Sequence, residues 1–206
     1  MIKRILLALA LLVFSGSGLA QETKNELGFV LGAETIPDAT ASSGVPIRFG
    51  KSISYTLTYA RHLTGENTAF FLEFPVSAAP SHKIQTAQPG VITDVATLFI
   101  TPSLKVRFAN QSAFSPWVSG GFGYGLYEGS DALNNSVSNS SVFRHTAAAQ
   151  FGGGIDIRTP IHILFPIGLR AEVRDYYTID SPNFGSSVRQ GGQHNVVAAG
   201  GFTIRF

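Results

Sequence analysis

Apolar residues alternate with small or polar residues along most of the chain. In residues 52–61 the apolar side chains are Ile53, Tyr55, Leu57 and Tyr59, and serine, threonine and alanine lie between them. A two-residue repeat places the two sets on opposite faces of a strand, whereas a helix repeats every 3.6 residues. The pattern therefore predicts β-strands with one apolar face and one polar face.

Eight segments show this alternation: residues 26–34, 52–61, 70–76, 97–108, 116–127, 145–158, 166–176 and 194–206. Several of them exceed the roughly 5 to 6 residues of an ordinary strand in a soluble protein. They match a strand of about 9 to 11 residues that crosses a bilayer at a tilt. The segment lengths therefore favour strands that span a membrane.

The connections alternate between long and short. The long ones follow the odd-numbered segments and cover residues 35–51, 77–94, 128–144 and 177–193. The short ones follow the even-numbered segments and cover residues 62–67, 109–115 and 159–165. Barrels of the outer membrane have short periplasmic turns and long extracellular loops. This asymmetry predicts that both ends of the mature chain lie in the periplasm.

The polar face of the segments is made mainly of glycine, serine, threonine and alanine. A soluble β-sandwich, which is the alternative fold, would carry many scattered charges on that face because the face would meet water. Small residues suit the crowded interior of an eight-stranded barrel. We therefore predict an all-β fold, a closed antiparallel up-and-down transmembrane β-barrel of about eight strands whose apolar face meets lipid.

The first residues have the order of a secretory signal peptide. Lys3 and Arg4 precede an apolar run over residues 5–14, and the small residues Gly18 and Ala20 follow. Such a run is too short for a membrane-spanning helix, and the small residues suit a cleavage site. We expect a signal peptide over residues 1–20 and one barrel domain over residues 21–206.

The charge balance excludes a class of partner. The chain has 15 Lys and Arg against 13 Asp and Glu, and the predicted leader holds two of the basic residues. The mature chain is then formally neutral, which predicts no nucleic-acid partner. With no cysteine there is neither a disulfide nor a thiolate metal site.

Aromatic residues near segment ends predict interfacial girdles: Tyr55, Tyr59, Phe74, Phe108, Trp117, Tyr127, Tyr177 and Phe206.

Two segments resemble strands of known outer-membrane proteins. Residues 200–206 alternate and close on a phenylalanine, as the last strand of such barrels does, and residues 116–125 resemble the fifth strand of OmpA-type and OmpX-type eight-stranded barrels. The resemblance implies that Phe202, Ile204 and Phe206 form an assembly signal. It also implies that periplasmic chaperones and the barrel assembly machinery are partners.

Charged residues at inward positions are the candidate site. They form a predicted lumen charge network, either a structural plug or the lining of a pore, made of Glu34, Glu73, Lys105, Arg107, Asp156, Arg158, Arg170, Glu172, Arg174 and Arg205. Charges of both signs pair in a space too narrow for more than side chains or one small ligand. We expect the structural plug, with the pore as the alternative.

Catalytic and metal sites have weak support in the sequence. His145, His194, Asp180 and Ser181 fall near the predicted outer rim, where a nucleophilic cluster would assemble. Neither histidine begins the His-x-Ser pattern of lipid A deacylases. The five histidines lack ligand spacing. We expect no catalytic residues, no metal and no cofactor.

The patterns together favour a non-enzymatic protein of the cell outer membrane. The long loops would recognise an extracellular ligand, while outer-membrane lipid and lipopolysaccharide would surround the barrel. A narrow porin-like channel for small solutes is the alternative. A lipid A-modifying enzyme is the third interpretation.

Overall fold

The structure is a computed structural model that describes residues 24–40, 44–85, 94–130, 142–162, 165–179 and 192–206. The predicted leader, residues 1–20, lies outside these residues. Regular structure in the described part of the chain is β-strand throughout, and it contains no helix of the length and apolarity needed to cross a membrane. The strands are β1 (Asn25–Thr35), β2 (Ala39–Thr40), β3 (Pro46–Phe49), β4 (Ser52–Thr64), β5 (Ala69–Gln85), β6 (Asp94–Ile100), β7 (Ser103–Arg107), β8 (Phe114–Ser130), β9 (Val142–His162), β10 (Pro166–Thr178) and β11 (Gln193–Arg205).

The strands close into a ring. β1 pairs with β4 on one side and with β11 on the other, so that the first and last strands of the ring are neighbours. β6 and β7 each pair with both β5 and β8, which makes them two parts of one interrupted strand. All pairings are antiparallel between strands that follow one another around the ring. The predicted closed up-and-down barrel with eight strand positions is therefore confirmed.

The register of the pairings fixes the stagger of the barrel. Following paired residues once around the ring from Asn25 leads back to β1 at Thr35, ten residues further on. A closed sheet of eight strands with this shear has strands tilted by about 41° and a radius of about 8 Å. Such a radius leaves room inside for side chains and small cavities only.

The two faces of the strands point as the alternation predicts. On β4, Ile53 is 59% exposed on the outside, while Ser54 and Thr56 are fully buried inside. The same division holds on β1, where Phe29 and Leu31 lie outside. The apolar face is thus the outer surface and the polar face is the interior.

The long and short connections lie at opposite ends of the barrel. The end with the short connections at residues 65–68 and 108–113 also holds the start of β1, the end of β9, the start of β10 and the end of β11, and we call it the turn end. There Asn25 and Phe206 exchange two backbone hydrogen bonds. The opposite end, the loop end, carries β2 and β3, and there β5, β8 and β10 end and β6, β9 and β11 begin.

Several strands differ from the predicted segments. β5 continues to Gln85, beyond the predicted end at residue 76, because the alternation runs on to Ala79, shifts by one residue at a bulge before His82 and then resumes through Ile84. The predicted strand over residues 97–108 is interrupted at Pro102, which has no backbone N–H to donate. The ring stays closed there because Phe122 N donates to the Pro102 carbonyl at 3.2 Å.

The predicted aromatic girdles are partly wrong. Trp117 is 2% exposed and Tyr127 is fully buried, and both side chains point into the barrel. Their positions have the parity of the inner face, so strand parity outweighs their closeness to strand ends. Tyr55, Phe74, Phe108 and Tyr177 lie exposed on the outer surface.

Candidate functional site

The half of the barrel interior that lies nearer the turn end holds charged side chains. The ionic cluster consists of nine of them: Glu26, Glu73, Asp156 and Glu172 with Lys105, Arg107, Arg170, Arg174 and Arg205. They come from six strands, and each points inward because it occupies an inner-parity position. Burying these charges without partners would strongly destabilise the folded barrel. Folding therefore depends on their pairing.

Glu26 is the carboxylate with the most cationic partners in this cluster. Its oxygens lie 2.5 Å from Arg170 Nη2, 2.6 Å from Arg107 Nη2 and 3.3 Å from Lys105 Nζ. Arg205 Nε lies 3.2 Å away. One carboxylate on β1 thereby connects β7, β10 and β11 across the lumen.

Asp156 on β9 pairs with three of the same cations, of which Lys105 Nζ is the most distant at 3.7 Å. Arg170 donates to it from Nε at 2.7 Å and from Nη2 at 2.9 Å, which is the two-point geometry of a strong arginine and carboxylate pair. Arg107 Nη2 lies 2.5 Å from Oδ2, which it shares with Arg170. Trp117 Nε1 donates to Oδ1 at 3.2 Å. Asp156 and Glu26 therefore hold Arg107 and Arg170 between them.

Arg174 belongs to a second group of charges further toward the loop end. Its Nη1 donates to Glu73 at 2.8 Å, and its Nε and Nη2 donate to Glu172 at 2.9 and 3.2 Å. Lys105 Nζ lies 3.9 Å from Glu73 and so connects the two groups. The ionic cluster is continuous across the barrel.

Trp117 lies among the cations of this cluster. Lys105 Nζ is 4.6 Å from its ring centre, and the guanidinium carbons of Arg174 and Arg170 are 5.0 and 5.3 Å away. Phe71 packs similarly on Arg107 at 4.5 Å. Aromatic faces attract cations at these distances. The two rings fill the space between charges and exclude water from it.

The loop-end half of the interior is closed by apolar and aromatic side chains. The apolar cluster consists of Ile47, Ile84, Val95, Phe99, Tyr127, Ala148, Tyr176 and Val197. Phe99 and Tyr176 stack with ring centres 4.7 Å apart. The Tyr127 hydroxyl lies 2.9 Å from Thr178 Oγ1 and accepts from Asn195 Nδ2 at 2.9 Å. β3 lies outside the ring and contributes Ile47, so the first long connection helps to close the barrel.

Glu34 has a small polar site of its own at the loop end. Thr97 Oγ1 donates to both of its oxygens at 2.9 and 3.0 Å, and His82 Nε2 lies 3.4 Å from Oε1. His82 also contacts the carbonyl of Gly50 at 2.9 Å through Nδ1. Glu34 therefore binds next to the base of the first connection, and the arginines of the ionic cluster are not among these partners.

The turn-end cavity lies below the ionic cluster and has a volume of about 470 Å³. Glu26, Phe71 and Arg107 belong to its wall, as do His62 from β4, Glu66 from the β4 to β5 connection, and Arg158 and Arg205 from β9 and β11. Arg158 donates to the carbonyls of Asn110 and Gln111. The cavity is a polar space at the short-turn mouth of the barrel.

The structure places the predicted network residues in three locations. Seven of them join the buried part of the ionic cluster: Glu73, Lys105, Arg107, Asp156, Arg170, Glu172 and Arg174. Arg205 joins it from the cavity wall, and Glu34 lies separately at the loop end. Arg158 is exposed at the turn-end mouth and does not enter the buried cluster. Sequence reasoning missed Glu26, although it has the same parity as Glu34 on β1.

The other predicted residues have no comparable surroundings. Phe202 is exposed on the outer face, and Phe206 packs on Phe165 with ring centres 6.0 Å apart. His145 contacts Tyr124, and His194 Nδ1 lies 2.6 Å from Asp175, in both cases on the outer surface. Asp180 and Ser181 lie outside the described residues. Among the described residues no group of His, Cys, Asp and Glu could hold a metal ion.

Solved structures share this fold. No protein-family model and no curated protein sequence matches the chain. Neisserial surface protein A superposes with a TM-score of 0.53 at 15% identity, over 90% of this chain and 98% of its own. The outer membrane protein OprG of Pseudomonas aeruginosa gives 0.50 at 15% identity, over 91% and 98%. Outer membrane protein AlkL gives 0.51 at 13% identity, over 94% and 95%. The chain therefore has the fold of the small outer-membrane β-barrels.

Proposed function

We propose that this chain is an integral protein of the cell outer membrane without enzymatic activity. Its barrel is a rigid, closed support, and its long connections recognise a partner at the cell surface. The observation that carries the proposal is the combination of an apolar outer surface with an interior closed at two levels.

The outer surface supports insertion into a membrane. Large apolar side chains cover it on all sides of the ring, and Phe122 reaches 76% exposure. Other large apolar side chains exposed on this surface are Phe29, Leu31, Ile53, Leu72, Phe74, Leu104, Val118, Phe151, Leu169, Val173 and Phe202. A protein in water rarely exposes a continuous apolar patch beyond a few hundred Å². Closure of the ring also supports insertion into a membrane, because each backbone polar group in hydrocarbon needs a partner within the sheet.

The interior argues against the alternative of a narrow channel. An ion entering from the turn end would meet the ionic cluster, in which Arg107 and Arg170 bind two carboxylates each. One entering from the loop end would meet the stacked rings of Phe99 and Tyr176. A path through the barrel would require both layers to separate.

The loop end supports a role in recognition. Loops held by a rigid scaffold often carry binding sites, and a fold alone does not specify a ligand. In this proposal the loop end is extracellular and the turn end, with both mature termini, is periplasmic. Outer-membrane lipid and lipopolysaccharide surround the barrel. Periplasmic chaperones and the assembly machinery recognise the chain through Phe202, Ile204 and Phe206.

One preparation tests both insertion and closure. The full chain, folded in detergent, should migrate differently before and after boiling, because a closed barrel resists unheated dodecyl sulfate. The same sample in a planar bilayer should give no stable unitary conductance steps. Regular steps would favour the channel, and migration that is insensitive to heating would contradict the barrel in a membrane.

The enzyme alternative has a direct assay. Purified folded protein incubated with lipid A should release no fatty acid. Release that is lost in His194→Ala or His145→Ala would replace the structural role with catalysis. Both histidines lie on the outer surface, where such a substrate would have to bind.

A further inference from the structure

The turn-end cavity has the size and the lining of a small-ligand site. Its volume of about 470 Å³ falls within the range of about 300 to 1,000 Å³ that is typical of ligand pockets. Three arginines line it, each from a different strand or strand end: Arg107, Arg158 and Arg205. Two carboxylates, Glu26 and Glu66, also line it.

The two carboxylates do not neutralise these arginines. Glu26 already binds four cations, among them Arg107 and Arg205. Glu66 lies exposed on the β4 to β5 connection, where water screens its charge. The cavity therefore has a positive potential on its buried side.

Donors on two arginines are free within the described part of the chain. Arg107 is almost fully buried, and its Nε has no hydrogen-bond partner there. The side chain of Arg205 is 14% exposed, and its hydrogen bond to Glu26 uses only Nε. A buried donor without a partner destabilises the folded protein. An anion in the cavity would give the remaining donors of Arg205 a partner.

The charge count of the ionic cluster points the same way. Five cations, Lys105, Arg107, Arg170, Arg174 and Arg205, meet four carboxylates, Glu26, Glu73, Asp156 and Glu172. The excess is one positive charge in a space from which most water is excluded. Charges in such a space are stable only when they are compensated.

We propose that the turn-end cavity binds a small organic anion with a carboxylate or phosphate group. The oxyanion lies beside Arg205 and Arg158, with the charge of Arg107 in the same wall, because planar guanidinium groups match oxyanions with two parallel hydrogen bonds. His62 and Phe71, whose ring centres are 5.1 Å apart, provide an aromatic wall for the rest of the ligand. This site is beyond the proposed structural role and lies at the opposite end from the long connections.

Calorimetric titration of the full folded chain in a nonionic detergent tests the proposal. Succinate and inorganic phosphate are the two probes, and uncharged succinamide is the matched control ligand. We expect saturable binding of one molecule of at least one anion and none of succinamide. The anion that binds more tightly identifies the group that the site prefers. Absence of saturable binding by both anions would overturn the proposal.

Matched variants locate the binding. Arg205→Gln should weaken the binding of the anion by about tenfold or more, because it removes a charged donor. Arg61→Gln should leave it unchanged, because Arg61 has the outward parity of β4 at the same end. Equal weakening by both variants would mean general attraction to positive charge and would reject the site.

A second variant keeps the test valid if Arg205→Gln does not fold. Arg158 is exposed at the mouth and lies outside the buried cluster, so Arg158→Gln should preserve the fold and the heat-dependent migration. This variant should weaken the binding of the anion several-fold, because it loses one charged hydrogen bond. Unchanged affinity in folded Arg158→Gln would contradict the proposed position of the ligand.

Discussion

At the scale of single residues, the position of Trp117 depends on a glycine. A Cβ atom at Gly154 would lie 2.7 Å from the Trp117 ring and 2.4 Å from the Ala171 carbonyl oxygen. These distances are shorter than real Cβ contacts, so an alanine there must displace the indole or the backbone. The glycine leaves the space that the indole needs beside Lys105, Arg170 and Arg174.

We predict that Gly154→Ala destabilises the folded protein by about 1 to 3 kcal/mol, as overpacking in a filled interior does. Trp117 is the single tryptophan of the chain, so its emission spectrum reports the change directly. The measurement is thermal unfolding in detergent followed by tryptophan fluorescence. We expect a lower melting temperature and a shifted emission maximum.

Gly120→Ala is the matched control for this substitution. A Cβ there would have its nearest contacts at 3.8 Å, which is ordinary van der Waals distance. This variant should melt within a few degrees of the parent protein. Equal melting of both variants would mean that the indole does not need the space at Gly154.

Glu172 tests the ionic cluster at the level of one side chain. We predict that Glu172→Gln lowers the melting temperature and reduces the free energy of unfolding by about 3 kcal/mol, the cost of breaking a buried pair by removing one partner. Arg174 would keep only Glu73 as a carboxylate partner. Circular dichroism during heating in detergent measures the effect.

Glu66→Gln makes the same chemical change at an exposed position and should alter stability by no more than about 0.5 kcal/mol. Glu26→Gln should be at least as damaging as Glu172→Gln, because it leaves four cations around a neutral side chain. Melting of Glu172→Gln at the parent temperature would show that water solvates the cluster and that it does not act as a plug.

At the scale of elements, β3 is attached to the barrel by few hydrogen bonds and one buried side chain. It pairs with β5 only through Arg48 and Phe49. Ile47 lies almost fully buried within the apolar cluster. The packing of β3 on the barrel therefore depends mainly on Ile47, with Val45 and Phe49 partly buried against the same cluster.

We predict that Ile47→Ala releases β3 locally without opening the barrel. The backbone amide of Gly50, which donates to the Lys83 carbonyl at 2.8 Å, should exchange its hydrogen roughly thirtyfold faster, which corresponds to about 2 kcal/mol of lost packing. Hydrogen exchange resolved at single residues by NMR measures this change. Conductance should stay absent because the ionic cluster still closes the interior.

Ile53→Ala removes the same side chain from the outer surface of β4, where Ile53 is exposed, and should not change exchange at Gly50. If the Gly50 amide hydrogen exchanges as slowly in Ile47→Ala as in the parent protein, then hydrogen bonding rather than packing holds β3.

The number of strand positions and the direction of their faces could be predicted from the sequence, because parity is a local property. The ends of the strands could not. At Ala79 and Pro80 the apolar contrast is weak, yet pairing with neighbours carries β5 on to Gln85. At Pro102 a missing N–H interrupts a segment whose hydrophobic pattern continues.

The inward direction of the charges was also predictable, but their partners were not. Glu26 and Arg170 are 144 positions apart and meet only because the sheet closes between β1 and β11. Arg158 has the inner parity, but it lies one residue beyond the pairing of β9 with β8 and binds carbonyls of the turn before β8 instead. Contacts across a lumen depend on the stagger of the ring, which the sequence pattern does not contain.

At the scale of the whole molecule, one number connects the register of all the strands. The ten-residue offset around the ring follows from paired residues on every strand position. The same offset sets which inward residues share a level, and so brings Glu26 on β1 to Arg107 on β7 and Arg170 on β10. The ionic cluster is thus a consequence of the shear as well as of the residues.

The shear makes a prediction about the molecule in a bilayer. Eight strands with an offset of ten residues require a tilt of about 41°, while offsets of eight and twelve require about 35° and about 46°. Polarised infrared spectroscopy of the protein in oriented lipid bilayers measures this angle from the amide I dichroism. We expect about 41°. An angle near 35° would mean that one pairing is displaced by two residues, and the arginines of β10 could then no longer face Glu26 at the distances that define the cluster.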